Sequence, residues 1–149
     1  DMGRIRGIDV ELEKIPDGFL AWLLLPRVRE RSRWAVRDLE FPTEHDISCG
    51  TYGAAAMRAL LERAPDACMS GRFFRGAPTT DWDAIYTYED FLCSACDFLC
   101  LCVDAYYFEL YMKDEEEIRE VLHQLGSLSG AQVALKTDET DGRYRMTID

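Results

Sequence analysis

The stretch that decides the fold is residues 88–114, YEDFLCSACDFLCLCVDAYYFELYMKD. Its middle part carries apolar side chains on both alternating faces, with phenylalanine and cysteine on one face and leucine and valine on the other. A strand of that kind lies inside a sheet that is covered on both sides. A turn at Asp104 and Ala105 would allow residues 106–112 to return as the neighbouring strand. The sequence therefore predicts a central hairpin over about residues 97–112.

A helix is predicted on each side of this hairpin. Thr87 is a favourable N-cap for a short helix over residues 88–93, because its hydroxyl can accept a bond from a free backbone N–H group. Asp114 is predicted to cap a second helix over residues 115–125. Apolar residues recur there at spacings of three and four, which is typical of a helix with one buried face.

The rest of the chain alternates between strand and helix patterns. Predicted strands cover residues 4–12, 34–41, 67–74, 132–137 and 143–148, and the last two form a closing hairpin. Two further helices are predicted: one over residues 17–25, which Asp17 caps and Pro26 ends, and one over residues 51–64. Asp1 in front of Met2 is interpreted as a remnant of processing or cloning.

These elements fit one domain. A chain of 149 residues is long enough to close a single hydrophobic core. We therefore expect a single α+β domain over residues 1–149, with a mixed, largely antiparallel sheet of six or seven strands and three or four short helices.

The charge is divided unevenly along the chain, and the formal net charge is −11. Residues 1–75 contain twelve basic and twelve acidic residues, whereas residues 76–149 contain five basic and sixteen acidic ones. An acidic surface repels nucleic acids and anionic membranes and attracts basic proteins. We therefore expect a basic protein as the partner and neither nucleic acid nor membrane. The predicted binding face consists of acidic residues of the second half: Asp114, Glu116, Glu120, Asp138 and Glu139.

Four arginines alternate over residues 27–33. In an extended segment they would share one face and could bind phosphate groups. The alternative is that they pair with the acidic second half of the same chain or face water. We favour this alternative, because exposed basic clusters are usually solvated or paired.

Six cysteines raise the question of redox or metal chemistry. Cys93 and Cys96 have the spacing of a redox pair, but they follow a helical turn instead of starting a helix, where the dipole would lower the thiol pKa. A zinc site would need a second closely spaced pair. A Cys49–His45 nucleophile has no third group to orient the histidine. The sequence therefore favours reduced, buried thiols in the cytoplasm, with no metal, no cofactor and no catalytic residue.

Several short motifs are shared with other proteins. They are Arg6-Gly7-Ile8, residues 88–92 with Ser94 and Cys96, Val103-Asp104, Lys113-Asp114, and Thr137-Asp138 with Asp141 and Arg143. As a set they resemble a small family of uncharacterised bacterial cytosolic proteins, a domain of unknown function, chiefly over residues 86–149. The resemblance implies a bacterial intracellular protein and implies no particular activity.

Two hypotheses for the function remain open. The first is a non-enzymatic interaction protein, of the inhibitor or immunity type, that binds a basic protein through its acidic half. The alternative is a small-molecule-binding protein or enzyme with a pocket beside the central hairpin. The residues predicted to line that pocket are Trp82, Tyr106, Tyr107 and Cys49.

Overall fold

Seven β-strands form one sheet in the computed structural model, which describes residues 3–148. The strands are β1 (Ile5–Leu12), β2 (Arg33–Glu40), β3 (Gly50–Tyr52), β4 (Ser70–Gly76), β5 (Cys96–Asp104), β6 (Tyr107–Met112) and β7 (Ala131–Thr137). Their order in the sheet is β3-β2-β4-β5-β6-β1-β7, and each neighbouring pair is antiparallel. The predicted α+β fold is confirmed, with a sheet that is antiparallel throughout the described residues. The interpretation of Asp1 and Met2 lies outside the described range.

Four α-helices cover the sheet: α1 (Phe19–Leu24), α2 (Ala54–Arg63), α3 (Tyr88–Cys93) and α4 (Glu115–Leu125). The face that packs against α1, α2 and α4 is called the helix face here, and the opposite face, which packs against α3, is called the second face. Within residues 3–148, none of the helices combines the length and the apolar character that crossing a membrane requires.

The predicted central hairpin is confirmed as β5 and β6 in the middle of the sheet. Phe98, Cys100 and Cys102 are fully buried in the helix-face core, while Leu99 and Leu101 are fully buried in the second-face core. A strand between two cores must be apolar at consecutive positions, because neither of its faces meets water. The turn itself lies one residue later than predicted, at residues 105 and 106.

The caps around the hairpin follow the sequence. The Thr87 hydroxyl accepts a bond from the Asp90 backbone N–H at 3.1 Å, and the Asp90 carboxylate accepts one from the Thr87 N–H at 3.0 Å. This reciprocal pair is a capping box. Asp114 caps α4 by accepting a bond from the Glu116 N–H at 2.9 Å. Both predicted caps are therefore confirmed.

Three local predictions in the first half of the chain are wrong. Helix α1 begins after Gly18, whose left-handed φ of 63° starts it, and no side-chain cap is present, so Asp17 is not the cap. Pro26 does not end the helical region but lies inside a 3₁₀ turn over Leu25–Arg27. Residues 50–52 are strand β3 instead of helix, because they pair with β2.

The C-terminal segment, residues 138–148, also differs from the prediction. It forms no closing hairpin with β7 but crosses the second face, where Arg145 makes an isolated bridge with Thr87. Met146 is fully buried there beside α3. The physical reason is that β7 already pairs with β1, while Met146 supplies the apolar cover that the second face needs.

Gly7 fixes how closely β1 approaches β6. A Cβ atom added at Gly7 would lie 1.7 Å from the carbonyl oxygen of Leu110, which no side chain can accommodate without moving the strands apart. A register shift between Ile5 and Gly7 in the pairing with β7 places this glycine at an irregular point of the strand. Such close backbone approach is one of the recurring reasons for glycine in a strand.

We predict that Gly7→Ala lowers the free energy of unfolding by about 3 kcal/mol or more, at the upper end of the range for overpacked interiors. Urea denaturation followed by circular dichroism measures the change. Gly142→Ala is the control, because a Cβ atom there meets nothing within 4 Å. Equal stability of the two variants would contradict the structural role of Gly7.

Candidate functional site

Charged side chains cluster on the second face where β6, β1 and β7 lie side by side. Asp9, Glu109 and Lys136 occupy this face because they alternate with the core residues of their strands. The Nζ atom of Lys136 lies 2.6 Å from Glu109 Oε1, 2.8 Å from Asp9 Oδ1 and 3.0 Å from Asp141 Oδ1. With Arg143, these residues form what is called the lysine network below.

The lysine network attaches the C-terminal segment to the sheet. The Arg143 guanidinium donates to the second carboxylate oxygen of Glu109 and to the Thr147 carbonyl oxygen, the latter at 2.8 Å. The Tyr111 hydroxyl donates to Asp141 Oδ2 at 3.0 Å. Strand β6 therefore holds two points of the segment through side chains alone.

Arg6 closes the same region at the end of the sheet. Its Nε atom donates to Asp138 Oδ1 at 2.8 Å, and its guanidinium carbon lies 4.0 Å from the centre of the Tyr88 ring. The hydrogen bond from Arg6 lowers the pKa of Asp138. Asp138 is therefore held as a paired carboxylate near neutral pH.

Lys136 and the two tyrosines beside the lysine network keep their protons at neutral pH. Burial lowers the pKa of Lys136, but hydrogen bonds to Asp9 and Glu109 outweigh it, so the net pKa is raised. Burial, reinforced by the charge of Glu109, raises the pKa of Tyr107 to about 12, and burial also raises the pKa of Tyr111. A general acid or base works best with a pKa near the working pH. At neutral pH Lys136 therefore stays a cation and the two tyrosines stay neutral phenols, so these three groups are suited to orienting neighbours and not to exchanging protons.

A cavity of about 380 Å³ opens beside the lysine network. This acidic cavity is lined by residues of three adjacent strands: Asp9, Glu11, Tyr107, Gln132, Val133 and Ala134. The Asp9 side chain is 33% exposed and belongs to both the network and the cavity. Glu11 is exposed and forms no ion pair among the described residues. The cavity thus offers two carboxylates, a phenol and an amide, which suit an ammonium or guanidinium group.

A second buried ion cluster lies on the helix face. Arg75 and Glu117 are almost completely buried and form a bidentate pair at 2.7 and 2.8 Å. Asp97 accepts from Arg75 at 2.9 Å, and Arg29 donates to Glu117 at 3.0 Å. Arg27 lies 3.6 Å from Glu117. This cluster ties α4 to β4 through the buried Arg75–Glu117 pair, so we interpret it as structural.

The alternating arginines of residues 27–33 do not share one extended face. Arg27 lies in a 3₁₀ turn, and Arg27 and Arg29 pair with Glu117 of the acidic second half. Arg31 and Arg33 are exposed. Of the two alternatives, internal pairing therefore describes the first two arginines and solvent exposure the last two.

The predicted acidic residues are placed at separate points of the surface. Asp114 and Glu116 are exposed at the start of α4, and Glu139 is exposed in the turn after β7. Glu120 lies 3.8 Å from Arg27, and Asp138 is paired with Arg6. Among the described residues, Glu116 and Glu139 form no ion pair, so they remain the most available of this set.

The predicted pocket residues do not line one common cavity. Trp82 is buried in the second-face core, and Tyr106 is 49% exposed in the turn of the central hairpin. Tyr107 lines the acidic cavity, whereas Cys49 lines a different cavity of about 440 Å³ near the start of β4. Tyr107 is thus the one member of the set that the structure brings to the acidic cavity.

Four of the six thiols are buried as predicted, whereas Cys49 and Cys93 are exposed, so the expectation of buried thiols is wrong for these two. Cys96 is buried, and burial raises the pKa of its thiol to about 12. Burial also raises the pKa of Cys100. The Nδ1 atom of His45 accepts a bond from the Ile47 backbone N–H at 3.1 Å. In residues 3–148, no group of three or more His, Cys, Asp or Glu side chains is arranged to hold a metal ion.

Sequence reasoning missed four residues of this site: Asp9, Glu11, Glu109 and Lys136. The alternation of charged and apolar residues in β1, β6 and β7 marks each of them as lying on one face of its strand. That these faces meet depends on the order β6-β1-β7, which brings together segments more than one hundred residues apart. The alternation therefore predicts which face of its own strand each residue occupies, but not that these faces meet.

We predict that Lys136→Met lowers the free energy of unfolding by about 3 kcal/mol or more, because it leaves buried carboxylates without their cation. Urea denaturation measures the loss. Arg119→Met is the control: its pair with Glu115 is exposed and 4.0 Å long, so we expect a change of at most about 0.5 kcal/mol. Similar losses in the two variants would contradict a structural role for the network.

We also predict that two of the six thiols react rapidly with a disulfide reagent in the native protein. Cys49 and Cys93 are exposed, whereas the other four are buried and should react only on unfolding. Absorbance at the thiol reagent's product band counts the reactive groups. The double variant Cys49→Ser, Cys93→Ser should lack the fast phase, and three or more fast thiols in the native protein would contradict the burial described here.

Comparison with known proteins supports the resemblance to an uncharacterised domain family. A family model described as a protein of unknown function (DUF2691) matches residues 73–147, half of the chain. The matched range begins earlier than the resemblance over residues 86–149 and contains the lysine network except Asp9. No curated protein and no solved structure matches the chain. The chain therefore belongs to the DUF2691 family of domains of unknown function.

Proposed function

We propose that this chain is a non-enzymatic interaction protein, of the inhibitor or immunity type, that binds a basic protein partner. The observation that carries the proposal is the acidic cavity on the second face, where Glu11 is exposed and Asp9, although paired with Lys136, keeps a side chain that is 33% exposed. Carboxylates presented by a rigid sheet are suited to lysine and arginine side chains, because the strands fix their positions before the partner arrives.

The distribution of ion pairs supports this proposal. Several cations are used inside the protein, since Arg75, Lys136 and Arg27 are buried with carboxylate partners. Exposed carboxylates such as Glu11, Glu116 and Glu139 have no such partner among the described residues. With a net charge of −11, the surface should accelerate encounter with basic proteins and repel nucleic acids and membranes.

The state of the ionisable groups supports a non-enzymatic role. Lys136 and Tyr111 keep their protons because their pKa values are raised, and Tyr107 does so with a pKa of about 12. Cys96 is buried with a thiol pKa of about 12, which disfavours the nucleophilic thiolate. We further propose a bacterial, cytoplasmic setting, which six free cysteines and the family resemblance support.

One observation favours a second candidate function. The acidic cavity, at about 380 Å³, lies within the size range of small-molecule sites and includes Tyr107 beside the central hairpin. A small organic cation could occupy it between the phenol and the carboxylates. Such a protein would bind its cation without retaining any protein partner, so the same experiment separates the two functions.

The test compares charge reversals that change the net charge equally at different places. Wild-type protein and the variants Glu11→Lys, Glu116→Lys, Glu139→Lys and Glu62→Lys serve as bait in a native bacterial lysate at about 50 and about 500 mM salt. Glu62 is exposed on α2, which packs on the opposite face of the sheet from the acidic cavity, and serves as the control. We expect wild type to retain a basic protein at low salt and to release it at high salt.

The variants then locate the binding surface. We expect Glu11→Lys to reduce retention about tenfold or more, because reversal of a contact charge adds repulsion at the site. Glu62→Lys should behave like wild type. The proposal fails if nothing is retained, if retention ignores salt, or if the control loses as much as Glu11→Lys. A loss confined to Glu116→Lys or Glu139→Lys would move the site to the start of α4 or to the turn after β7.

A further inference from the structure

The outer edge of β7 is open. β7 is the last strand of the sheet and pairs with β1 on its inner side. It has seven residues, whereas β3, the strand at the opposite edge, has three. Short edge strands offer few unpaired backbone groups, and long ones offer a template for another strand.

The hydrogen-bond pattern shows which groups face outward. The Glu13 N–H donates to the Gly130 carbonyl oxygen at 2.9 Å, so Gly130 faces β1. Along an antiparallel strand the direction alternates, so the N–H and C=O groups of Ala131, Val133 and Leu135 face away from the sheet. Six consecutive donor and acceptor groups are thus available on one edge.

This edge lacks the usual protection against pairing. Natural edge strands are protected by proline, by bulges or by outward charges, especially lysine. β7 contains no proline, and its register with β1 is regular from Ala131 to Leu135. Its one charged residue, Lys136, has its ammonium in the lysine network, and Leu135 is 40% exposed. The edge is therefore left able to accept a strand.

The acidic cavity lies next to this open edge. Gln132 and Ala134 of β7 form its outer wall, and Asp9 and Glu11 of β1 form its floor. A strand added to β7 would lie about 10 Å from β1, two strand spacings away. A lysine or arginine side chain on the added strand opposite Ala134 can cross this small residue and reach both carboxylates.

We propose that the partner binds as an eighth strand on the outer edge of β7, through an extended segment whose lysine or arginine side chain enters the acidic cavity. The inference rests on the proposed function and specifies how the partner is recognised. Main-chain bonds to Ala131, Val133 and Leu135 supply affinity, and the cavity supplies the preference for a basic residue. A second copy of the chain is disfavoured as the occupant, because it would bring another net charge of −11 to the same surface.

The test uses three synthetic decapeptides with the same alternating lysine and valine sequence: one ordinary peptide and two N-methylated ones. The ordinary peptide has unmodified amide groups, and the other two are N-methylated at alternate residues, one in each possible phase, which removes the edge donors but keeps every charge. Fluorescence anisotropy measures their binding to the wild-type chain. We expect the N-methylated peptides to bind about tenfold more weakly in at least one phase, as the loss of a few net hydrogen bonds requires.

Variants of the chain test the same edge from the other side. Leu135→Pro removes one outward N–H and obstructs an incoming strand, and its pairing with β1 should survive because that N–H faces solvent. Leu135→Thr keeps the N–H and is the control. We expect about tenfold weaker peptide binding for Leu135→Pro alone, with Glu11→Lys weakening the ordinary peptide by a similar factor.

Three other outcomes would overturn strand addition, and each would have a different consequence for the proposed function. Equal binding of ordinary and N-methylated peptides, lost at high salt, would leave the proposed function standing and remove strand addition. No binding of any of the peptides at low salt would remove strand addition, while retention by wild type in the lysate experiment would still decide the proposed function. A stable dimer in light scattering that blocks the peptide would assign the edge to a second copy.

Discussion

Four parts of the chain meet at one buried ammonium group. Lys136 joins β7 to β1 through Asp9, to β6 through Glu109 and to the C-terminal segment through Asp141. A single cation cannot neutralise three carboxylates, so Arg143 shares Glu109, and Asp9 is left partly open to solvent. The candidate site follows from this imbalance. The most exposed carboxylate of the network, Asp9, is the one that borders the acidic cavity.

Local patterns predicted the elements whose neighbours are close in sequence. The apolar run of β5, its return in β6 and the caps at Thr87 and Asp114 depend on contacts within a few residues, and all were confirmed. Strand β3 and the path of the C-terminal segment depend on distant partners, β2 and α3 respectively. Propensity cannot identify such partners, because the same residues would pair equally well elsewhere.

In the candidate site, too, local patterns were predicted and contacts between distant residues were not. Charge counting located an acidic half of the chain, but it could not show that Arg6 would pair with Asp138 or Arg27 with Glu120. It also overlooked Asp9 and Glu11, because the first half is neutral as a whole. The family match covers β5, β6, α4 and β7 but not β1, so both carboxylates of the acidic cavity, Asp9 and Glu11, lie outside the matched range. A site assembled from both chain ends becomes visible only once the strand order is known.

The position of β1 has a consequence for biosynthesis. Its two neighbours in the sheet are β6 and β7: Gly7, for example, pairs with Tyr111 on one side and with Lys136 on the other. During translation β1 therefore leaves the ribosome before either partner, and it stays unpaired until β6 and β7 have been made. Sheets closed by such distant pairings fold on the order of milliseconds to seconds, because a long loop must be ordered first. Until then β1 is exposed to non-native pairing, and a chain that stops before β7 would leave it unpaired on one side.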